Sequence, residues 1–283
     1  MSGEQKIREP HGNGVSALTA HRPARAARPL LIDSHSHVDV SEFDADRAQV
    51  LARARAAGVS RQVVPAIALV GFDQLRDVCR DESGLYPAYG LHPMYLADHR
   101  PEHLDALRAW IERERPVAVG ECGLDFFVDG LDAETQRFYF RNQLELARDF
   151  DLPVILHARR ALDEVIAALR GIGNARGVVH SFSGSEEQAR QLWKLGFCIG
   201  LGGPVTYERA RRLRGIAATM PLEFLLLETD SPDQPLLGHQ GRRNEPALLR
   251  EVCECIAALR GVAGEEIASA TTRNAERLFQ LPA

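Results

Sequence analysis

The chain has 283 residues, 45% of them hydrophobic, and a formal net charge of −5. That is enough apolar material for a large core, yet no apolar stretch reaches the roughly 18 residues that a bilayer span needs. The N-terminus lacks the apolar core of a signal peptide, so a cytoplasmic protein with no membrane attachment and no obligate protein partner is expected. The five cysteines are odd in number and contain no Cys-x-x-Cys pair, which excludes a disulfide framework.

Residues 1–30 differ from the rest. They carry Lys6, Arg8, Arg22, Arg25 and Arg28 against Glu4 and Glu9, with Pro10, Pro23, Pro29 and three glycines among small polar residues. A disordered or loosely attached basic extension is expected. Its charge of +3 leaves −8 on residues 31–283, which argues against a broad electrostatic footprint for duplex nucleic acid.

From residue 31 onward, short apolar β-rich runs alternate with amphipathic helical stretches. The strands are expected to end near Ser34, Val64, Gly90, Gly120, Leu156, Val179, Gly200 and Leu227. Helical patterns run from Asp46 to Ala57, Pro101 to Arg115, Ala133 to Phe150, Leu162 to Leu169, Glu186 to Leu195, Thr206 to Ala218 and Pro246 to Leu259. Eight strands at a repeat of about 28 residues predict a single-domain TIM (β/α)₈ barrel over 31–283. A doubly wound open sheet is the alternative.

The first run, Leu30-Leu31-Ile32, ends in Asp33-Ser34-His35-Ser36-His37. Residues i and i+2 of a strand project to one face roughly 6 to 7 Å apart, so His35 and His37 can converge on a metal ion. Four later runs also close on potential ligands, at Glu121, His157, His180 and Asp230. In a closed barrel these strand ends share the C-terminal face, where such folds place their chemistry. Four imidazoles and two carboxylates exceed what one tetrahedral structural zinc needs, and suit two divalent ions with open positions. Lys6 and Lys194 are the only lysines, so no carbamylated lysine can bridge the ions. Glu121 is the expected bridge. Asp230 is expected to bind one ion and to orient or deprotonate the attacking water, which makes these two the catalytic residues. Imidazole-rich ligation suits Zn, Mn, Ni or Fe by softness, and the sequence does not distinguish among Zn, Mn, Mg and Ni.

Six segments carry a family resemblance: Asp33-Ser34-His35-Ser36-His37, Gly90-Leu91-His92-Pro93, Val119-Gly120-Glu121-Cys122-Gly123-Leu124-Asp125, Leu152-Pro153-Val154-Ile155-Leu156-His157-Ala158-Arg159, Gly177-Val178-Val179-His180-Ser181-Phe182-Ser183-Gly184 and Leu227-Glu228-Thr229-Asp230-Ser231-Pro232. With Arg243-Asn244-Glu245-Pro246 they resemble the signature blocks of the TatD family, in family order over residues 31–281. The stretch from Ser231 to Gly241 resembles its bacterial YjjV-type branch. The resemblance implies a TIM-barrel, divalent-metal-dependent hydrolase, typically a deoxyribonuclease that removes nucleotides from 3′ ends of single-stranded DNA. It also implies metal ligands at His35, His37, Glu121, His157, His180 and Asp230. One departure stands out: the family commonly has Arg-Asp after the small residue that follows the fifth-strand histidine, whereas this chain has Ala158-Arg159-Arg160. A charge near the pocket mouth is reversed, which bears on the choice of substrate.

The expected reaction is hydrolysis of a phosphodiester, in single-stranded DNA or a small molecule, by a hydroxide held by two divalent ions. An amidohydrolase or deaminase with one metal ion is the alternative, and it would leave Glu121 unligated. His92 is a candidate substrate-binding residue or a turn histidine bonded to nearby backbone. Arg159 could grip a non-bridging phosphate oxygen or stand in solvent. The arginines at 209, 211, 212 and 214 read as an exposed helical face rather than a track for a nucleic-acid strand. Cys122 should point away from Glu121, to the outside of the barrel. His11, His21, His99, His103 and His239 have no role in this reading.

Overall fold

The computed structural model describes residues 1–3 and 30–282, so nearly all of the expected loose extension, with His11 and His21, lies outside the described residues. The strands are β1 (Leu31–Asp33), β2 (Val59–Pro65), β3 (Leu85–Tyr89), β4 (Ala118–Asp125), β5 (Val154–Arg159), β6 (Gly177–Val179), β7 (Cys198–Leu201) and β8 (Leu225–Leu227). They pair in parallel in chain order, and the alternating helices give a TIM barrel rather than an open sheet. Backbone bonds from Ser34 N to Leu227 O at 2.9 Å and from Asp230 N to His35 O at 2.9 Å join the last strand to the first.

The helices are α1 (Arg47–Ala56), α2 (Phe72–Asp81), α3 (His103–Glu114), α4 (Ala133–Asp149), α5 (Leu162–Ile172), α6 (Glu186–Lys194), α7 (Arg211–Thr219), α8 (Leu249–Arg260) and α9 (Gly264–Phe279). Their ends follow local chemistry. Ser185 and Gln188 make a capping box on α6, Asp132 accepts from Thr135 N at the start of α4, and α8 stops at Gly261 in the left-handed region. The helical patterns missed α2 and α9. In α2 only Phe72 and Leu75 are buried, and α9 is built largely from Ala, Ser, Thr and Glu. The expected helix over 206–218 starts later, at Arg211, because Gly203–Thr206 is a 3₁₀ turn opened by Pro204.

Two apolar layers hold the barrel. Inside it, every strand supplies one residue: Ile32, Val63, Ala88, Ala118, Ile155, Val178, Cys198 and Leu226. Ala275, Leu278 and Phe279 of α9, with Leu281, pack against this layer, so the last helix plugs one end of the barrel. Between strands and helices lies the larger layer. It contains Cys122, on the outer face as its alternation with Glu121 requires. Since each strand is covered on both sides, strand sequences read as continuous apolar runs.

The inner layer explains where the polar residues go. Ile155 and His157, Val178 and His180, and Leu226, Glu228 and Asp230 keep the two-residue period from the apolar layer up to the C-terminal face. Strand β4 departs from it. Its register with β5 shifts between Val119 and Cys122, and the Gly120–Glu121 peptide is cis. The register shift lets Ala118 and Glu121, three residues apart, both face inward. A Cβ on Gly120 would lie 2.7 Å from the Ile155 Cβ, so the backbone there can only be glycine.

Candidate metal centre

The six residues singled out in the sequence meet at the C-terminal face, around the carboxylate of Glu121. Its Oε2 lies 3.1 Å from His35 Nε2 and 3.5 Å from His37 Nε2. These two nitrogens are 3.1 Å apart and stand 3.5 and 3.6 Å from Asp230 Oδ1. Its Oε1 turns the other way, to His180 Nε2 at 2.7 Å, His157 Nδ1 at 3.0 Å and His92 Nε2 at 2.9 Å. Every ion-pair partner of Glu121 among the described residues is a histidine.

The spacing fits divalent cations. Donors about 2.0–2.2 Å from an ion lie roughly 3.0–3.5 Å from one another in tetrahedral or octahedral geometry. Both sides of Glu121 fall close to that range. Three overlapping groups have donor atoms within 4.8 Å of one another: His35, Glu121 and His180; His35, His37 and Asp230; His92, Glu121 and His157.

Without a cation, protons have to balance the cluster. Burial alone would raise Glu121, but the surrounding imidazoles, His180 foremost, hold it well below the usual carboxylate range. Burial works against protonating His37 and His180, yet Glu121 outweighs it and lifts them to about 9 and about 10. His35, fully buried and beside His180, is pushed well down instead. Asp230 is raised above its ordinary value by burial.

Surrounding residues fix these side chains. Asp125 accepts from His157 Nε2 at 2.8 Å and so leaves Nδ1 for the centre. Its other oxygen accepts from the backbone N–H of Phe127 at 2.8 Å and of Val128 at 3.0 Å. These bonds hold Asp125 down at about 2 despite its burial. His37 Nδ1 meets Pro65 O at 3.1 Å. Asp230, with its backbone in the left-handed region at φ 55°, accepts from the Gln234 amide through Oδ2, and Gln234 is tied in turn to Ser181 Oγ. Asp33 is fully buried on Thr229, 3.0 Å from its N–H and 2.6 Å from its hydroxyl, and burial raises it to about 7.

Glu228 is the most unusual of these neighbours. It is fully buried, accepts from Ser181 N, and is pushed up to about 8 by burial. Among the described residues its Oε2 has no hydrogen-bond partner, and neither has Nδ1 of His180, 4.0 Å from the other oxygen. Only glycine fits beneath it, since a Cβ on Gly200 would come within 1.9 Å of Oε2.

Both candidate substrate residues border the same space, a cavity of about 620 Å³ lined also by Tyr95, Ser181, Asp230 and Gln234. His92 is the turn histidine of the two alternatives. Its Nδ1 accepts from Met94 N in a turn, which leaves Nε2–H to donate to Glu121. His99 braces it by donating to the His92 carbonyl at 2.9 Å. Among the described residues that line the cavity, Arg159 is the only arginine or lysine. In the run after β7, Arg212 and Arg214 bond to the backbone carbonyls of Ser183 and Val205. Asp125, Glu228 and Gln234 had no role in the sequence reading. For Asp125 a signal existed, because it shares a strand face with Glu121 four residues earlier.

A family model described as TatD related DNase matches residues 32–280. The chain is 42% identical over 254 residues to "Uncharacterized metal-dependent hydrolase YjjV" of Escherichia coli K12, covering 89% of this chain and 98% of that protein. It is 37% identical to the metal-dependent hydrolase YabD of Bacillus subtilis, over 89% of this chain and all of the relative. The crystal structure of the E. coli YjjV protein superposes with a TM-score of 0.86 at 41% identity, covering 89% of this chain and 98% of that one. Among the described residues, no helix is long and apolar enough to cross a membrane. The chain belongs to the TatD family of metal-dependent hydrolases, in its bacterial YjjV-type branch.

Proposed function

We propose that the protein hydrolyses phosphodiester bonds, as a deoxyribonuclease acting on 3′ ends of single-stranded DNA, with two divalent ions sharing Glu121. The observation that carries the two-ion reading is the split of the Glu121 carboxylate, one oxygen toward His35, His37 and Asp230 and the other toward His157 and His180. The description of the matching family supports the substrate. His35, His37 and Asp230 would hold one ion, His157 and His180 the other. When bound, the ions would supply positive charge for the oxygens on which negative charge develops, and acidify the attacking water.

The chain's own residues do the rest. Asp230 stands at the cavity and is positioned by Gln234 to take a proton from the attacking water. His92 donates to Glu121 and keeps the carboxylate from rotating out of its shared position. Asp125 fixes the ring of His157, a partner whose loss typically weakens metal affinity about 10–100-fold. Arg159, at the edge of the cavity, is the group that can fork onto a non-bridging phosphate oxygen. The mononuclear reading finds less support, because it leaves Glu121 idle at the centre of five imidazoles.

The test is a panel of 5′- and 3′-labelled single- and double-stranded oligodeoxynucleotides with Mg, Mn, Zn and Ni. A ladder of products shortened from the 3′ end on single strands, abolished by chelator, is the expected result. No cleavage with any ion, alongside turnover of an amide or nucleobase, would overturn it.

A further inference from the structure

Beyond the cavity edge, three side chains gather where β4 and β5 end side by side. Asp125 pairs in register with Arg159, and Phe126 N donates to Arg159 O at 2.9 Å. Phe127 follows, with 42% of its surface exposed. The guanidinium carbon of Arg159 lies 3.6 Å from the centre of its ring, and that of Arg160 lies 4.6 Å away. Consecutive strand residues point to opposite faces, so this convergence needs a break in the strand. Arg160 supplies it, with its backbone in the left-handed region at φ 55°.

Two cations around one exposed ring are not a self-sufficient arrangement. An exposed ring attracts each guanidinium only weakly, while the two guanidinium groups repel one another. Among the described residues neither makes an ion pair or a side-chain hydrogen bond, in a chain where most arginines have carboxylate or carbonyl partners. Among the described lining residues of the cavity outside the ligand set, Glu42 and Asp233 are acidic and Arg159 is the one basic group that could attract an anion. The platform is also rigidly indexed to the centre. One oxygen of Asp125 holds the Phe127 backbone and the other holds His157.

We propose that Phe127, Arg159 and Arg160 form a subsite for the nucleotide adjoining the scissile phosphodiester. The two guanidinium groups take its phosphate, and its base lies against the Phe127 ring. An exposed ring of this kind accepts only an unstacked base, so the ligand is a single-stranded oligonucleotide and not a duplex. The inference rests on the phosphodiesterase reading and adds a minimum length to it: the substrate carries at least one phosphate besides the one being cleaved.

The test is equilibrium binding of the metal-loaded full chain to a fluorescein-labelled, fully phosphorothioate hexathymidylate, followed by anisotropy across a salt series. This probe keeps the phosphate charges and resists hydrolysis. Arg160→Glu is expected to weaken binding at least about tenfold, and Arg160→Ala to reduce the slope of log affinity against log salt by about 0.7. Arg160→Lys, which keeps the charge, should recover most of that slope. Phe127→Leu should cost about tenfold in affinity with the slope unchanged, because stacking is lost and no charge is. Wild-type affinity and slope in both Arg160→Ala and Arg160→Glu would overturn the subsite. Binding that depends on Arg160 in a protein that cleaves no phosphodiester would uphold an oligonucleotide-binding platform and remove the phosphodiesterase reading instead.

Discussion

Replacing Glu121 with alanine is expected to lower phosphodiester hydrolysis by at least about 10³-fold while the barrel still folds. Metal ions contribute several kcal/mol of charge stabilisation in such reactions, and each 1.4 kcal/mol is a factor of ten in rate. Among the described residues, Glu121 alone has two oxygens that reach both halves of the histidine cluster, so its loss removes a donor from each half at once. Glu121→Gln separates charge from shape. It keeps the volume at the β4 irregularity but removes the anion that His37 and His180 face, and should be nearly as inactive. Initial rates on a labelled oligonucleotide, read beside far-ultraviolet circular dichroism, check both variants. A folded Glu121→Ala protein within about tenfold of wild type would remove Glu121 from the chemistry.

The largest loss of stability is expected at the opposite end of the barrel. Phe279→Ala should destabilise the protein by about 3–5 kcal/mol, the usual cost of deleting a buried aromatic side chain. For a chain of this size that is a fall of roughly 6–20 °C in the thermal midpoint. Phe279 is 2% exposed and closes the inner layer to which all eight strands contribute. Little can collapse into the gap, because the strand residues above it are set by their ladders. Asn274 anchors the same helix by donating to Leu222 O at 2.7 Å and Leu225 O at 2.9 Å. Since the plug is remote from the metal centre, turnover per folded molecule at low temperature should stay near wild type. A midpoint shift below about 3 °C, measured by differential scanning calorimetry, would mean that α9 does not close the barrel as described.

Much of the site could be read in the sequence because a polar residue ending an apolar run is conspicuous. His35, His37, His157, His180 and Asp230 each follow a strand whose other residues are buried on both sides. A period of two joins His157, His180 and Asp230 to the inner layer through Ile155, Val178 and Leu226, so their convergence was legible. It also puts His35 and His37 on one face, but His35 lies three residues past Ile32, and the break that turns this pair inward was not legible. Glu121 was legible for the same reason, although the strand irregularity that turns it inward was not. That feature depends on Gly90, Gly120 and Ile155 approaching one another, and composition says nothing of such distances. The His157–Asp125 bond joins residues 32 apart and requires the β4–β5 register. Glu228 looks like any acidic residue in a strand-end motif until Gly200 is seen to lie against it. The plug was hidden by its own chemistry: in a helix of mostly small and polar residues the large apolar side chains are few, Ile267 near its start and Leu278 and Phe279 in its last turn. Arg159 and Arg160 were visible as a pair, but their shared ring was not, because Phe127 lies on the neighbouring strand's exit.

The central claim is that Glu121 is shared between two ions, and the metal content of the purified chain tests it most directly. After saturation with Mn or Zn and removal of free ion, inductively coupled plasma mass spectrometry should give two ions per chain for the wild type and fewer than two for Glu121→Ala. One ion per chain in a fully active wild type, unchanged by Glu121→Ala, would contradict the account.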